Sequence, residues 1–358
     1  MTDDRKTVLI AGITGISGSY IAKDLAARPQ WEVIGLSRRM PQFPIADDIR
    51  FVTADMLKPS DLSAVSGEFE SLTHLVYAGY SPAGGDDWAE QTSINAQMFE
   101  NLLDSVCRAA PALRRILLMQ GQKYYGTHLG PYRTPSREDD ARHMPPNFYF
   151  KQQDLLAARS AEATWDYSCL RPHIICGLGM RSPMNPLMII GAYASLSKAL
   201  RLPLRFPGSP GADRSIYQAT DAKLLGRAAN WALTSPQTTD QAYNITNGDF
   251  FRWEQIWEKV VDLFDLPLGP PQSISLQQFM ADKTSTWREL AEVHGLVTPD
   301  IEKAVNWSFG DYIFNCDWDI MASTTKARQH GFESFEDSEH MFSQILTEMA
   351  QARVIPPL

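Results

Sequence analysis

TVLIAGITGISG, residues 7–18, decides the fold. Its first half, Val8-Leu9-Ile10-Ala11, is a short apolar run that reads as a buried strand. It breaks into Gly12, Gly15 and Gly18, and the helical pattern Tyr20-Ile21-Ala22-Lys23-Asp24-Leu25 follows. Glycine at a tight turn permits positive φ, and further glycines let a ligand approach the backbone where free N–H groups at a helix start receive an anion. Glycine triplets also occur in ordinary turns; the flanking strand and helix are what make this spacing predict a dinucleotide fold.

Working outward, Trp31 to Leu36 reads as a second strand and ends in Ser37-Arg38-Arg39. A dinucleotide site for NAD places a carboxylate here, on the ribose diol, and that carboxylate would repel a 2′-phosphate. Two guanidinium groups pair with such a phosphate instead, so the expected cofactor is NADPH. The plainer alternative is a solvated basic loop. A third strand, Ile49 to Met56, carries Asp55, suited to the adenine edge, and a helix starts near Asp61. Leu72 to Gly79 is a fourth, nearly apolar strand, Asn95 to Ala109 an amphipathic helix and Arg115 to Met119 a fifth strand. Asn147-Phe148-Tyr149 opens a helix, Tyr167 to Pro172 is a sixth strand, Ala242 to Ile245 returns to the sheet, and Trp253 to Phe264 is helical.

This alternation predicts an α/β fold, a Rossmann doubly wound parallel sheet with ligands at the carboxyl ends of its strands and a smaller C-terminal substrate lobe. Residues 1–180, with 211–250 returning to them, are assigned to the NADP-binding domain; 181–210 and 251–358 belong mainly to the lobe, packed by Trp253, Trp257 and Trp287.

The 358 residues are 44% hydrophobic, enough for one large core or a core with a lobe, and the net charge of −9 argues against nucleic acid as a partner. No apolar run approaches the ~20 residues of a bilayer-spanning helix, and the polar first residues carry no secretory signal. The expectation is a cytoplasmic protein. Its four cysteines are widely spaced with no C-x-x-C, and its histidines form no H-x-x-x-H, so no metal site is expected.

These residues resemble the atypical short-chain dehydrogenase/reductases of the progesterone 5β-reductase and iridoid synthase type, over nearly the whole chain. The ordinary Tyr-x-x-x-Lys is missing, since Gln153 stands four positions after Tyr149. The resemblance rests on Asn147-Phe148-Tyr149, on Gly121-Gln122-Lys123-Tyr124-Tyr125, on Arg38-Arg39, on Ser182-Pro183-Met184-Asn185, on Tyr243 to Asp249 with Trp253, and on Trp307-Ser308-Phe309-Gly310-Asp311. It implies Tyr149 and Lys123 as catalytic residues. It implies Gly12, Thr14, Gly15 and Ile16 at the pyrophosphate, Arg38 and Arg39 at the 2′-phosphate, Asp55 and Met56 at the adenine, and Gly79, Ile175, Ser182 and Met184 along the rest of the cofactor. Leu129, Tyr132 and Phe309 fall at substrate-facing positions. Leu129 replaces a usual aromatic, Ile174 a frequent Asn, and Met119-Gln120 a Gln-Thr pair, so the pocket is expected to differ in shape and polarity. A homodimer, common in the superfamily, is compatible with the resemblance.

The chemistry implied is reduction of an activated C=C bond in a 1,4-enone or enal. Hydride goes to the β-carbon, and Tyr149 donates to the oxygen on which enolate charge grows. A nearby ammonium, Lys123, is expected to lower the tyrosine pKa from ~10. Direct carbonyl reduction at the same site is the close rival. A nucleotide-sugar epimerase is disfavoured by the absent Tyr-x-x-x-Lys and by Arg38-Arg39. A non-catalytic NADPH sensor is disfavoured by the presence of both Tyr149 and Lys123.

Overall fold

Seven strands pair side by side into one parallel sheet. They are β1 (Lys6–Ala11), β2 (Trp31–Ser37), β3 (Ile49–Thr53), β4 (His74–Tyr77), β5 (Arg115–Met119), β6 (Asp166–Pro172) and β7 (Gln241–Ile245), in the order β7-β6-β5-β4-β1-β2-β3. The computed structural model describes residues 5–41, 44–85, 87–179 and 184–358. Every pairing is parallel, for example Val8 with Val33 and with His74. The winding direction reverses between β1 and β4, the position where such sheets open a crevice at the strand ends.

Both faces of the sheet are covered, which is why the inner strands β1, β2, β4 and β5 lack a polar side. Leu9, Leu75, Ile116 and Leu118 face the side of α2 (Pro59–Ala64) and α3 (Trp88–Ala109), while Val8, Ile10, Val76 and Leu117 face α1 (Ile16–Ala26) and α6 (Ala222–Thr234). Helix α6 lies close against α1 because Gly226 permits it: a Cβ there would sit 2.8 Å from the Asp24 Cβ and 2.9 Å from the Tyr20 carbonyl oxygen.

A third core lies outside the sheet. It gathers α5 (Pro186–Ala199), apolar on every side, with Trp253, Trp257 and Phe264 of α7 (Trp253–Phe264), Trp287, Phe314 and the helix Ser338–Gln351. Trp253 and Trp257 each meet Phe314 edge-on, at 5.1 and 5.2 Å. The three predicted tryptophans are all buried in this core. Among the described residues no helix is long and apolar enough to cross a membrane.

Two strand ends are shorter than expected. Asp55 and Met56 lie beyond β3, because Asp55 accepts from the Leu57 N–H and turns the chain. Strand β4 starts at His74, after Thr73 has hydrogen-bonded to the Thr7 backbone. Helix α3 begins earlier than expected, at Trp88, where the Asp87 carboxylate accepts from the N–H groups of Ala89 and Glu90.

Candidate active site

Strand β1 runs straight into the glycine turn. Gly12 has φ +81°, and a Cβ on it would lie 2.6 Å from the Ala78 carbonyl oxygen, so this glycine lets the turn pass under the end of β4. Gly18 is closed off in the same way by the Gly12 carbonyl and the Ile13 Cα. Gly15 differs: a Cβ there would meet only the Gly12 oxygen, at 3.4 Å. Gly15 is the N-cap of α1, whose first turn has neither a side-chain cap nor an acidic residue. Its N–H groups are therefore available to an anion, with the positive end of the helix dipole behind them.

Beside this turn is a cavity of about 800 Å³ lined by Thr14, Arg38, Arg39 and Asp55. Lys23, Lys58 and Asp61 share the wall, so four cations face two carboxylates in a chain that is acidic overall. Lys23 and Lys58 were not anticipated, because no spacing rule joins α1 and the turn after β3 to the end of β2. Burial pushes the Lys23 ammonium below its ordinary pKa, and it lies 4.9 Å over the Tyr20 ring. Met56 is buried beside Gly79, where an added Cβ would come within 2.8 Å of its methyl. Ile175 pairs with Thr220 in a two-residue strand, and Met184 is partly exposed just before the Asn185 cap of α5. Ser182 lies outside the described residues. The uncapped helix start, the unfilled space at Gly15 and the cationic wall fit a phosphorylated dinucleotide.

Tyr149 and Lys123 come from separate segments, joined by one side chain. The Asn147 oxygen caps α4 (Phe148–Ser160) by accepting from the Tyr149 N–H at 2.9 Å, and its amide nitrogen donates to the Lys123 carbonyl, also at 2.9 Å. Lys123 sits in the short 3₁₀ turn Gln122–Tyr125, closed by Gly126 at φ +80°. The Tyr149 hydroxyl rests against Gly121, where a Cβ would lie 3.1 Å away.

Burial is the main force on the Tyr149 hydroxyl and pushes its pKa up, with Tyr80 adding to the rise. The expected lowering by the Lys123 ammonium is not found: burial and Tyr80 act on this hydroxyl, and Lys123 is not among the groups that shift it. The Lys123 ammonium lies 5.3 Å over the Tyr312 ring, and burial holds its pKa below the ordinary value. Its charge acts on His128, whose pKa is brought down to about 4, by burial first and Lys123 second. The His143 ring nitrogen lies 3.2 Å from the Lys123 carbonyl. Tyr312, His128 and His143 are thus neighbours of Lys123 that spacing did not disclose.

Of the substrate-facing candidates, Phe309 lies 6.2 Å from Tyr312, ring to ring, and so borders the Lys123 turn from the lobe. Leu129 is exposed and packs near Gly126. The Tyr132 hydroxyl is engaged, accepting from the Met321 N–H at 3.1 Å.

Residues 47–356 match the family model of the PRISE-like Rossmann-fold domain. The chain belongs to the PRISE-like Rossmann-fold family. It is, with that family, an enzyme. Among characterised relatives of this PRISE-like chain, the (S)-8-oxocitronellyl enol synthase of Antirrhinum majus is 29% identical over 370 residues, covering 98% of this chain and 93% of its own. The enzyme of that name from Nepeta racemosa is 30% identical, with 97% and 92% covered. Solved structures share the PRISE-like chain's fold at lower identity. The Bordetella bronchiseptica enzyme WbmH in complex with NAD+ superposes with TM-score 0.68 at 18% identity, over 98% of this chain and 100% of that one. The Thermus thermophilus UDP-glucose 4-epimerase complex with NAD gives 0.67 at 16%, over 97% and 99%.

Proposed function

We propose that this protein is an NADPH-dependent reductase of activated C=C bonds in 1,4-enones or enals, with Tyr149 as the donor to the substrate oxygen. The observation that carries this reading is the double hydrogen bond of Asn147, which ties the tyrosine segment to the lysine turn at the carboxyl edge of the sheet. The cationic cavity wall supports NADPH over NADH, with Arg38 and Arg39 on the 2′-phosphate and Gly12, Thr14, Gly15 and Ile16 at the pyrophosphate. Asp55, Met56, Gly79, Ile175, Ser182 and Met184 complete the cofactor site in this reading. The bound nicotinamide would supply hydride to the substrate.

The rest belongs to the protein's own groups. Burial keeps the Tyr149 hydroxyl protonated well above neutral pH. It therefore meets the substrate as a neutral donor, and its hydrogen bond strengthens as negative charge grows on the substrate oxygen. Lys123 adds a positive charge at the rim, between His128 and Tyr312. Leu129, Tyr132 and Phe309 shape the substrate side. The same reading assigns residues 1–180 and 211–250 to cofactor binding and 181–210 and 251–358 mainly to the lobe; the packing of α6 on α1 and of α5 with α7 supports it.

The test is consumption of reduced nicotinamide with a panel of enones, enals and matched saturated ketones, NADPH against NADH, with Tyr149→Phe as control. Turnover of enones with NADPH, collapsing in the variant, is the expected result. Activity on saturated ketones alone would replace the reading with carbonyl reduction. Tight NADPH binding without turnover, unchanged in the variant, would leave a cofactor sensor.

A further inference from the structure

Arg171, in β6, is a guanidinium buried to 1% exposure, and no described carboxylate lies within ion-pair distance of it. Neutral groups hold it instead. Its Nε donates to the Gln120 side-chain oxygen at 2.9 Å, one terminal nitrogen to the Tyr125 hydroxyl at 2.8 Å and the Glu138 carbonyl at 3.2 Å, and the other to the Gln153 oxygen at 3.0 Å. Its carbon lies 3.4 Å from the centre of the Tyr124 ring. The Gln120 amide nitrogen donates onward to the Tyr149 carbonyl at 3.1 Å and to Gln153 at 3.2 Å. The Gln122 amide donates to the Arg171 carbonyl at 2.9 Å.

These bonds meet both halves of the candidate site from below. Tyr124, Tyr125 and Gln122 belong to the turn that carries Lys123, while the Tyr149 carbonyl and Gln153 belong to the helix that carries the Tyr149 hydroxyl. We infer that Arg171 is the positioning residue that sets the Lys123 turn against the Tyr149 helix. The buried guanidinium needs an acceptor at 153, and the Gln153 oxygen serves Arg171 and Gln120 together. Arg171 touches no reacting atom in this scheme; it acts through Gln120, Gln153 and the two tyrosines.

The inference rests on the proposed reductase site, and its test has two readouts. Gln153→Glu keeps the acceptor and is expected to hold kcat within about threefold. Gln153→Lys and the milder Gln120→Leu are expected to lower kcat ~10–100-fold, with substrate KM and NADPH affinity within about twofold, because small displacements of reacting groups cost rate before binding. Backbone amides of residues 121–126 and 147–153 are expected to exchange about tenfold faster in Gln120→Leu, with α1 unchanged. If Gln153→Glu falls as far as Gln153→Lys, or if both segments of Gln120→Leu exchange as in the wild type, the inference is overturned. If the wild type reduces neither enones nor ketones, the reductase reading fails, and amide exchange alone decides the positioning role. Gln120→Leu carries the test if Gln153→Lys does not fold.

Discussion

Gly18 lies directly beneath Gly12: a Cβ on Gly18 would strike the Gly12 carbonyl oxygen and stand 2.8 Å from the Ile13 Cα. Gly15, between them in sequence, has no such obstruction. One motif therefore holds glycines kept for two different reasons. Gly18→Ala is expected to destabilise the fold by about 1–3 kcal/mol through overpacking. Gly15→Ala is expected to unfold at the wild-type urea midpoint and to bind NADPH more weakly. Equal losses of stability in the two variants would contradict this division.

Arg38 and Arg39 are both exposed and line the cation-rich cavity. Replacing either with Ala removes a charge-assisted pair worth ~1.5–3 kcal/mol, so the NADPH dissociation constant is expected to rise by about tenfold to a hundredfold. NADH, which lacks the 2′-phosphate, is expected to bind the variants as it binds the wild type. Calorimetric titration of both cofactors checks the contrast.

Tyr149→Phe removes one preorganised donor without changing the packing shape. The loss expected is ~10²–10³ in kcat, with NADPH affinity retained. Because burial raises the tyrosine pKa, no loss of activity from ionisation of Tyr149 is expected between pH 6 and pH 9, a window of about three units around neutrality. A steep alkaline fall with an apparent pKa near neutrality, absent from Tyr149→Phe, would show the ammonium prevailing over burial in the loaded enzyme.

His74 and His173 are held neutral in the fold, each with its pKa brought down to about 3 by burial. His74 lies edge-on to Trp31 at 4.8 Å, with its Nδ1 2.8 Å from the Thr73 hydroxyl. The unfolded chain binds protons at these rings near pH 6.5 while the folded chain does not, so stability rises with pH across this window. The contribution is complete above the unfolded value and is lost as pH falls toward 3. Each ring accounts for about 1.4 kcal/mol per pH unit within the window. Urea unfolding at neutral pH and at mild acid is expected to show a gap between the two that narrows in His74→Gln; an unchanged gap would remove His74 from the account.

The sheet was legible because its inner strands β1, β2, β4 and β5 are buried on both faces and so read as apolar runs, and the glycine turn because its constraints are local. Helix α6 was not read, since Gly226 interrupts its pattern and its reason lies across the gap in Asp24 and Tyr20. At the site, Tyr149 and Lys123 were legible only through the resemblance. The Asn147 tie is visible in neither segment alone, since it joins residues 24 apart in the chain. The Arg171 network was beyond reach of spacing, as Gln120, Tyr125, Gln153 and Arg171 meet only once β5, β6 and α4 are packed. Likewise the direction of the tyrosine pKa depends on burial, which residue identity does not disclose.

The contacts of Arg171 also bear on how the candidate site gives way to heat. One guanidinium holds the end of β5 through Gln120, the turn through Tyr125 and α4 through Gln153, so these three segments are expected to loosen as one unit and not in turn.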